Sequence, residues 1–477
     1  MLICLFSISC KKDFLEKKPL GQLTSDNFFE TADHAVWATN AAYEQLRNWD
    51  VHVFSFIGLT DIISDDTDKG STPSDANFLT ELDNFTFDAG NISVGAVWTG
   101  YYQGIYRANI ALENIPTIEM GEALQTRLLS ECRFLRAYYY FNLVRWFGDI
   151  PLITKTLDRA DFSQPRTSKT EVYAQIIQDL ENAIDVLPTQ FSGVDKGRAT
   201  KGAAQGLLSK VYLTLGDFTN SSEQALAVIA AQKYALLPSY AQIFTAAGEN
   251  SSESLFEVQT AAFETGGGGT QYNEVQGVRG NPNLGWGFNR PSDDLVGDYE
   301  RGDPRREATI LYVGEVLPDG SALVADNPNI FNERYNQKAW VPTHEGGNGN
   351  GPGNIRLLRY ADVLLIAAEA LNELGETTDA LLYLNLVRAR ARGQSTSILP
   401  DITVTNKEEL RTIIWHERRV EFALEQQRWF DLVRQGKAAS VMQAVGKNFE
   451  IGKHELLPLP QTEIDLSGGL LEQNAGY

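Results

Sequence analysis

The chain has 477 residues, of which 43% are hydrophobic and 22% charged, a composition typical of a folded globular protein and not of a disordered one. Its 41 Lys and Arg stand against 62 Asp and Glu, a net charge of −21, so the surface repels phosphate backbones and nucleic acid is a poor partner. Three cysteines exclude a disulfide-rich scaffold, and five histidines leave little material for a zinc site.

The N-terminus has the character of a targeting segment. Residues 1–9, MLICLFSIS, are almost entirely apolar, and Cys10 and a charged stretch follow them. This order resembles the end of a bacterial lipoprotein signal, in which the cysteine is acylated. We therefore predict a signal-peptide remnant at 1–9, a lipidated Cys10 and a surface tether at 10–25; the alternative is a buried strand with an incidental cysteine. Several acyl chains would anchor the protein stably, and no other segment approaches the length of a membrane-spanning helix.

Helical periodicity dominates two blocks, at about 26–250 and 356–440. Apolar residues recur there at every third or fourth position, which places them on one face of a helix. The pattern predicts helices over 33–48, 98–115, 122–147, 169–187, 199–215, 222–233, 359–374, 377–392 and 406–435. We expect Gly375 to end a helix in the left-handed conformation, and Asn406 to form a capping box with Glu409. Helix pairs with Leu-Gly at the turn are typical of tetratricopeptide-like architecture, here without a strict repeat of about 34 residues.

Glycine and asparagine replace this periodicity between about 260 and 355. We interpret this interval as a loop-rich insertion, with short strands at 254–260 and 308–313. A second irregular segment is predicted at 50–97. Irregular segments on a rigid scaffold are where binding usually resides, so both are candidate ligand-binding regions.

The sequence lacks the common catalytic motifs. His416 and Glu417 invite comparison with the HExxH motif of zinc proteases, but Val420 stands where the second histidine would be. Cys132 lies among apolar helical neighbours and is predicted to be a buried, inert thiol. No catalytic residue, metal centre or cofactor is predicted.

One acidic stretch could bind a cation. Asp65, Asp66 and Asp68 are close enough in sequence to be weak calcium candidates. A solvated acidic loop is the commoner explanation, and we favour it.

Several large or charged helical residues are predicted to be structural. The tryptophans in helical register, expected in the core, are Trp98, Trp146, Trp415 and Trp429. The residues expected to form buried or half-buried ion pairs are Arg359, Asp362, Glu417, Arg418, Arg419 and Glu421. Loss of one partner of such a pair typically costs about 3–5 kcal/mol.

Six segments together resemble the SusD/RagB family of Bacteroidetes outer-membrane lipoproteins. They are ECRFLRAYYYFNLVRWFGDIPLI at 131–153, RATKGAAQGLLSKVYLTLGDF at 198–218, GDPRR at 302–306, RYADVLLIAAEALNELG at 359–375, WHERRVEFALEQQRWFDLVRQG at 415–436 and LLPLPQTEIDLSGGLLEQNAGY at 456–477. Together they extend over most of the chain, and on them it is identified as a member of the family.

The resemblance implies a mainly α fold, a superhelix of tetratricopeptide-like pairs with a loop-rich, ligand-binding side. It implies a single SusD-like domain over 26–477, in which a tail at 441–477 follows the second helical block. It also implies a non-enzymatic lipoprotein, lipid-anchored in the outer membrane and exposed at the cell surface. Such a protein acts as a lid that delivers a captured oligo- or polysaccharide to a SusC-type TonB-dependent β-barrel transporter.

Candidate ligand contacts follow from sugar chemistry. An aromatic ring can stack on the weakly apolar face of a sugar, and amide or guanidinium groups can bond its hydroxyls. The aromatic candidates outside helical register are Trp286, Phe288, Trp340, Tyr272 and Phe78, and their polar companions are Asn77, Asn283 and Arg290. Each ring could instead pack beneath its own loop, and for Trp286, with a glycine on either side, the two interpretations are balanced.

Three other functions remain open from the sequence. The same lid mechanism could capture peptides, and an acidic protein would then prefer basic ones, with binding that weakens in salt. A surface glycosidase is the least favoured, since no pair of carboxylates stands out. Purely structural support of the barrel is not distinguishable from glycan capture by sequence.

Overall fold

The computed structural model describes residues 28–261, 267–342 and 351–477. The predicted signal remnant, Cys10 and the tether lie outside them. Helices form most of the regular structure, and the six described strands pair only in twos. The prediction of a mainly α fold is confirmed.

The first helical block contains every helix predicted there. Its helices are α1 (Ala32–Glu44), α2 (Trp49–His52), α3 (Phe54–Ile57), α4 (Asn77–Asn84), α5 (Ile92–Asn114), α6 (Glu122–Phe147), α7 (Lys169–Val186), α8 (Lys201–Leu215) and α9 (Phe218–Ala230). The expectation of an irregular segment at 50–97 is wrong for much of its length. It folds into α2, α3, a π-helical turn at Gly58–Ile62, α4 and the start of α5. The helices at its start are too short to show a helical period, and the apolar residues from Val51 to Ile63 are buried.

The second block is interrupted where the sequence predicts one long helix. The insertion before it contains α10 (Tyr272–Gln276), α11 (Asp293–Asp298) and α12 (Arg305–Thr309). The second block contains α13 (Tyr360–Leu374), α14 (Thr377–Arg392), α15 (Lys407–Phe422), α16 (Arg428–Arg434) and α17 (Ala438–Ala444), and the tail contains α18 (Gln461–Leu466). The predicted helix at 406–435 is broken between α15 and α16, where Leu424 and Gln426 take positive φ of 63° and 58°. The break follows from a tertiary contact: the backbone N–H and side-chain amide of Gln426 both donate to the buried Asp61.

The predicted end of α13 and the predicted N-cap of α15 are confirmed. Gly375 ends α13 with φ 87°, and the Asn406 side chain caps α15 by accepting from the backbone N–H of Glu409 at 3.0 Å.

Three two-stranded antiparallel ribbons lie within the described residues. The strands are β1 (Thr67–Gly70), β2 (Ser254–Val258), β3 (Phe288–Pro291), β4 (Ile310–Tyr312), β5 (Arg334–Asn336) and β6 (Ile355–Arg359). β1 pairs with β3, β2 with β6 and β4 with β5. The strands predicted at 254–260 and 308–313 are present as β2 and β4.

One main hydrophobic core joins the two helical blocks. Neighbouring helices pack as α5 with α6, α6 with α7, α8 with α9 and α13 with α14, and α13 also contacts α9 and α15. Trp98, Trp146 and Trp429 lie in this core as predicted, whereas Trp415 is half-buried and donates to Glu369 at 2.9 Å. No helix in the three described ranges is long and apolar enough to cross a bilayer.

Cys132 is fully buried, in a smaller core cluster beside α1. Burial raises the pKa of its thiol to about 12. The thiol is therefore protonated at neutral pH, as the prediction of an inert cysteine requires.

A buried ionic cluster surrounds Glu421 on α15. Its carboxylate accepts from Arg305 of α12, Arg359 of β6 and Arg390 of α14. Glu253, the residue before β2, accepts from Arg359 at 2.7 Å and from Arg390 at 2.9 Å. All five side chains are at most 3% exposed, so their charges are compensated by one another and not by water.

The cluster extends along the helices. Further buried pairs are Arg305 with Asp303 and Glu417, Arg388 with Glu417, Arg359 and Lys338 with Glu425, and Arg418 and Lys210 with Asp362. The predicted buried ion pairs are confirmed, with partners that lie far apart in sequence.

Replacing Glu421 with Gln is expected to lower the free energy of unfolding by about 3–5 kcal/mol, because three buried guanidinium groups would lose a shared anion. Burial alone would raise the pKa of Glu421, but Arg390, Arg359 and Arg305 outweigh it and lower the pKa to about 2. Glu421 therefore contributes stability above about pH 4.5, which is lost as the pH falls toward 2. Urea unfolding at pH 7 measures the loss.

The matched control is Glu307→Gln. Glu307 pairs with Arg306 at 3.5 Å on the surface, where the two side chains are 75% and 45% exposed. We expect a change below about 1 kcal/mol. Equal losses in the two variants would contradict a special contribution from the buried cluster.

His52 is a second buried titratable group. Its Nδ1 lies 2.8 Å from the carbonyl of Leu46, which can only accept, so Nδ1 carries the proton and Nε2 accepts from the Tyr138 hydroxyl at 2.6 Å. Burial lowers the pKa of His52 to about 4, although the Leu46 hydrogen bond opposes the shift.

The unfolded chain protonates His52 near pH 6.5 and the folded chain near pH 4, so folding stability falls as the pH drops through this window. We expect His52→Gln to be less stable than the wild type at pH 7.5. The difference in free energy of unfolding between the two proteins should decrease by about 3 kcal/mol when the pH is lowered to 4. Urea unfolding of both proteins across this range tests it, and a gap independent of pH would refute it.

Candidate functional site

Two irregular parts of the sequence meet through the β1–β3 ribbon. Its register places Asp68 opposite Arg290 and Gly70 opposite Phe288. The Asn332 side chain continues the link: it accepts from the Ser71 N–H at 3.1 Å and donates to the Gly287 carbonyl at 2.7 Å. The early loop and the 260–355 insertion thus form one surface.

A cavity of about 810 Å³ opens on this surface. Its described walls come from α3, from the Asp75–Phe78 segment, from α10 and the loop that runs to β3, and from residues 339–342. Five of the predicted ligand contacts line it, namely Trp286, Phe288, Trp340, Phe78 and Asn283. The volume lies within the range common for small-ligand sites.

Phe54 organises the aromatic floor. Its ring packs edge-to-face against Phe78, Trp286 and Phe288, with centroids 5.7, 5.9 and 4.9 Å away. Phe54 and Phe288 are buried, while Trp286 and Phe78 stay half-buried. Edge-to-face packing of several rings holds each one in a single orientation and leaves part of the Trp286 and Phe78 surfaces open.

Glycines allow the Trp286 loop to fold back on itself. The Trp286 N–H donates to the Glu274 carbonyl at 2.8 Å. A Cβ at Gly285 would collide with that carbonyl, and Gly287 adopts φ 74°. The glycines on either side of Trp286 therefore serve a close backbone approach that presents the indole to the cavity.

Trp340 contributes a second indole to the cavity lining. Asn273 on α10 donates to the carbonyl of Ala339 at 2.8 Å and so fixes the backbone beside the indole. Trp340 is half-buried and lines the cavity together with Val341 and Pro342.

Polar groups line the rim. Asn283 is exposed, and Glu274 accepts from Gln271 at 2.9 Å. Arg279 forms a salt bridge with Asp75, which joins the insertion to the early loop across the cavity wall. Hydrogen bonding to Arg279 lowers the pKa of Asp75, so this carboxylate is ionised at neutral pH.

A buried amide network lies near the floor. Asn289, next to Phe288, has φ 61° and donates to Asp61 at 3.0 Å and to Gln276 at 2.8 Å. Gln426 donates to Asp61 at 2.7 Å and accepts from the Tyr272 hydroxyl at 3.2 Å. Burial raises the pKa of Asp61 to about 7 although both amides donate to it.

Three predicted contacts lie elsewhere. Tyr272 is buried and its hydroxyl belongs to the amide network, so it does not line this cavity. Arg290 is paired with Asp68 at 2.5 Å and Glu333 at 2.7 Å. Asn77 is exposed at the start of α4, outside the cavity lining, although its neighbour Phe78 points into the cavity. The order of residues along a loop did not indicate which of them face inward.

The calcium candidates form ion pairs. Asp65 lies 2.7 Å from Arg428, Asp66 lies 2.8 Å from Arg419, and Asp68 pairs with Arg290. The described residues contain no cluster of His, Cys, Asp or Glu able to hold a metal ion. The expectation of a solvated acidic loop is also wrong for Asp65 and Asp66, because both are buried against arginines of the second helical block.

Sequence reasoning missed Phe54, Asp75 and Arg279. Phe54 belongs to the apolar run VFSFIGL, which resembles core, and Asp75 sits in an acidic loop with no distinguishing pattern. Arg279 is separated from Asp75 by 204 positions, so only the folded chain pairs them.

The arrangement suits a polyhydroxylated ligand. Partly open aromatic faces lie beside amide, carboxylate and guanidinium groups, which combines apolar contact with hydrogen bonding. Such a surface can bind a sugar chain without chemical change to it.

Comparisons with known proteins agree with this architecture. A family model described as "SusD family" matches residues 252–477, and one described as "Starch-binding associating with outer membrane" matches residues 13–213. SusD-like protein P2 of Formosa agariphila is 33% identical over 97% of this chain and 96% of its own length.

Solved structures are similar over almost the whole chain. A laminarin-binding SusD-like protein superposes with a TM-score of 0.83 at 32% identity, covering 94% of this chain and 100% of its own. Surface glycan-binding protein A from Bacteroides thetaiotaomicron, in complex with laminarihexaose, gives a TM-score of 0.79 at 26% identity, covering 93% and 99%. With matching models in both halves and a relative of this identity over nearly its full length, the chain belongs to the SusD/RagB family.

Proposed function

We propose that this protein is a cell-surface glycan-binding lipoprotein that captures an oligo- or polysaccharide in the cavity between Trp286 and Trp340. The observation that carries the proposal is the composition of that cavity: a packed aromatic floor with open faces and a rim of polar groups. The C–H face of a sugar ring can stack on the aromatic floor, and the sugar hydroxyls can hydrogen-bond to the polar rim.

Laminarin is the first ligand to test. One similar structure is named for laminarin binding and another contains laminarihexaose, at 32% and 26% identity to this chain. Laminarin is a neutral glucan with no charged group to desolvate, which suits a cavity built largely from aromatic rings and amides.

Binding without hydrolysis is the second part of the proposal. A glycosidase needs a protonated carboxylic acid as general acid beside a second carboxylate. Asp75 has a lowered pKa because Arg279 donates to it, which is opposite to what a general acid requires. Asp75 is therefore suited to accepting hydrogen bonds from hydroxyls.

The third part concerns location and partner. We infer that acylated Cys10 anchors the protein in the outer membrane, and that the protein acts as a lid that delivers its ligand to a SusC-type TonB-dependent barrel. Support comes from the family model, whose description includes association with the outer membrane, and from the apolar segment before Cys10.

Trp286→Ala is expected to weaken laminarin binding at least tenfold, about 1.4 kcal/mol, because it removes a partly open ring face from the cavity lining. The laminarin affinity of Trp286→Phe should lie between those of Trp286→Ala and the wild type. Affinity electrophoresis and calorimetry with laminarin measure binding, and a reducing-sugar assay on the same mixtures should detect no new ends.

The matched control is Trp37→Ala, which removes a tryptophan that is 49% exposed on α1 and outside the cavity lining. Its affinity should equal that of the wild type. Binding that survives Trp286→Ala in a folded protein would move the site elsewhere. Failure of the wild type to bind any neutral glycan, together with salt-sensitive binding of basic peptides, would favour peptide capture instead.

A further inference from the structure

Three charged side chains line the described part of the cavity. They are Asp75, Glu274 and Arg279. Arg279 is the one cationic side chain among the described lining residues. A ligand carrying carboxylate or sulfate groups would depend on Arg279 for charge compensation.

Arg279 is already occupied by the protein. Its guanidinium donates to the Asp75 carboxylate and to the Ser71 hydroxyl. The Arg279 and Asp75 side chains remain 31% and 36% exposed, so the pair stands at the cavity wall where a ligand can reach it.

Lys69 fixes the backbone position of Asp75 through hydrogen bonds. The Lys69 ammonium, on β1, donates to the backbone carbonyls of Thr72 at 2.8 Å, Pro73 at 3.3 Å and Asp75 at 2.7 Å. Ser71 also donates to the Asp75 carboxylate at 3.2 Å. These hydrogen bonds fix the backbone of Asp75, so its carboxylate lies beside Arg279 even before a ligand binds.

We propose that the Asp75–Arg279 pair determines specificity by making the cavity selective for neutral glycans. The inference rests on the proposed glycan-binding function and adds the charge class of the ligand. An anionic sugar that reached Arg279 would have to displace Asp75, and the Asp75 carboxylate would then lose the guanidinium with which it is paired. Neutral hydroxyls can instead accept from Arg279 or donate to Asp75 while the pair stays intact.

The test uses one glucan in two charge states: laminarin, and laminarin oxidised at C6 to glucuronate. The wild type is expected to bind the oxidised form at least tenfold more weakly. Asp75→Asn keeps the shape of the side chain but frees the guanidinium, and should improve affinity for the oxidised form at least tenfold. This gain should shrink in 0.5 M salt.

Arg279→Gln is the matched control. It breaks the same salt bridge but leaves the carboxylate, so loosening of the loop would affect both variants alike, whereas the charge effect predicts no gain for Arg279→Gln. Thermal unfolding verifies that each variant is folded. If Asp75→Asn does not fold, Asp75→Ser takes its place in the same binding measurements.

The outcomes separate the two proposals. Laminarin binding by the wild type, with a gain for the oxidised glucan in Asp75→Asn alone, supports the specificity role. Laminarin binding with equal wild-type affinity for both glucans, or with equal gains in both variants, overturns the specificity role and leaves glycan capture intact. No binding of either glucan by the wild type or Asp75→Asn overturns both.

Discussion

The structure depends on the need to compensate charges that are excluded from water. Glu421 has no solvent to stabilise it, so guanidinium groups from α12, α14 and β6 must converge on α15. Glu253, the residue before β2, accepts from one of these guanidinium groups, that of Arg359. Hydrophobic packing alone would tolerate some sliding between these elements, whereas directed charge-assisted hydrogen bonds allow one arrangement. The elements so joined are distant in sequence and belong to the second helical block and to the region between the two blocks.

Two sets of buried polar contacts also position residues of the candidate site. Lys338 pairs with Glu425 at 2.7 Å, which positions the strand exit that leads to Trp340. In the second contact, the chain between α15 and α16 is not helical, and Gln426 there donates to Asp61. Asp61 also accepts from Asn289, which positions that residue beside Phe288. An unsatisfied buried carboxylate would cost more than the broken helix turns. The aromatic cavity is thus built on a polar framework whose own hydrogen bonds hold it in place.

This organisation suits capture of a flexible sugar chain. A weakly apolar ligand gains affinity when the binding surface is ordered beforehand, because little conformational entropy remains to be lost on the protein side. The Phe54 ring cluster and the Asp75–Arg279 pair are both ordered by contacts within the protein. Selection among glycans can then come from which charges are already paired, without any change in the scaffold.

The sequence by itself determined the helical scaffold, its caps and the family, because the spacing of apolar residues and the helix-ending role of Gly375 are local properties. It also indicated that aromatic residues of the glycine-rich insertion, such as Trp286, are candidate ligand contacts, since rings outside helical register have no place in a helix core; Trp286 lines the cavity. Only the tertiary structure decided the break at Gln426, the burial of Tyr272 and the pairing of Arg279 with Asp75. Each of these depends on a partner far away in the chain, and the energy of a buried polar contact is set by that partner and by the exclusion of water, which no local pattern records.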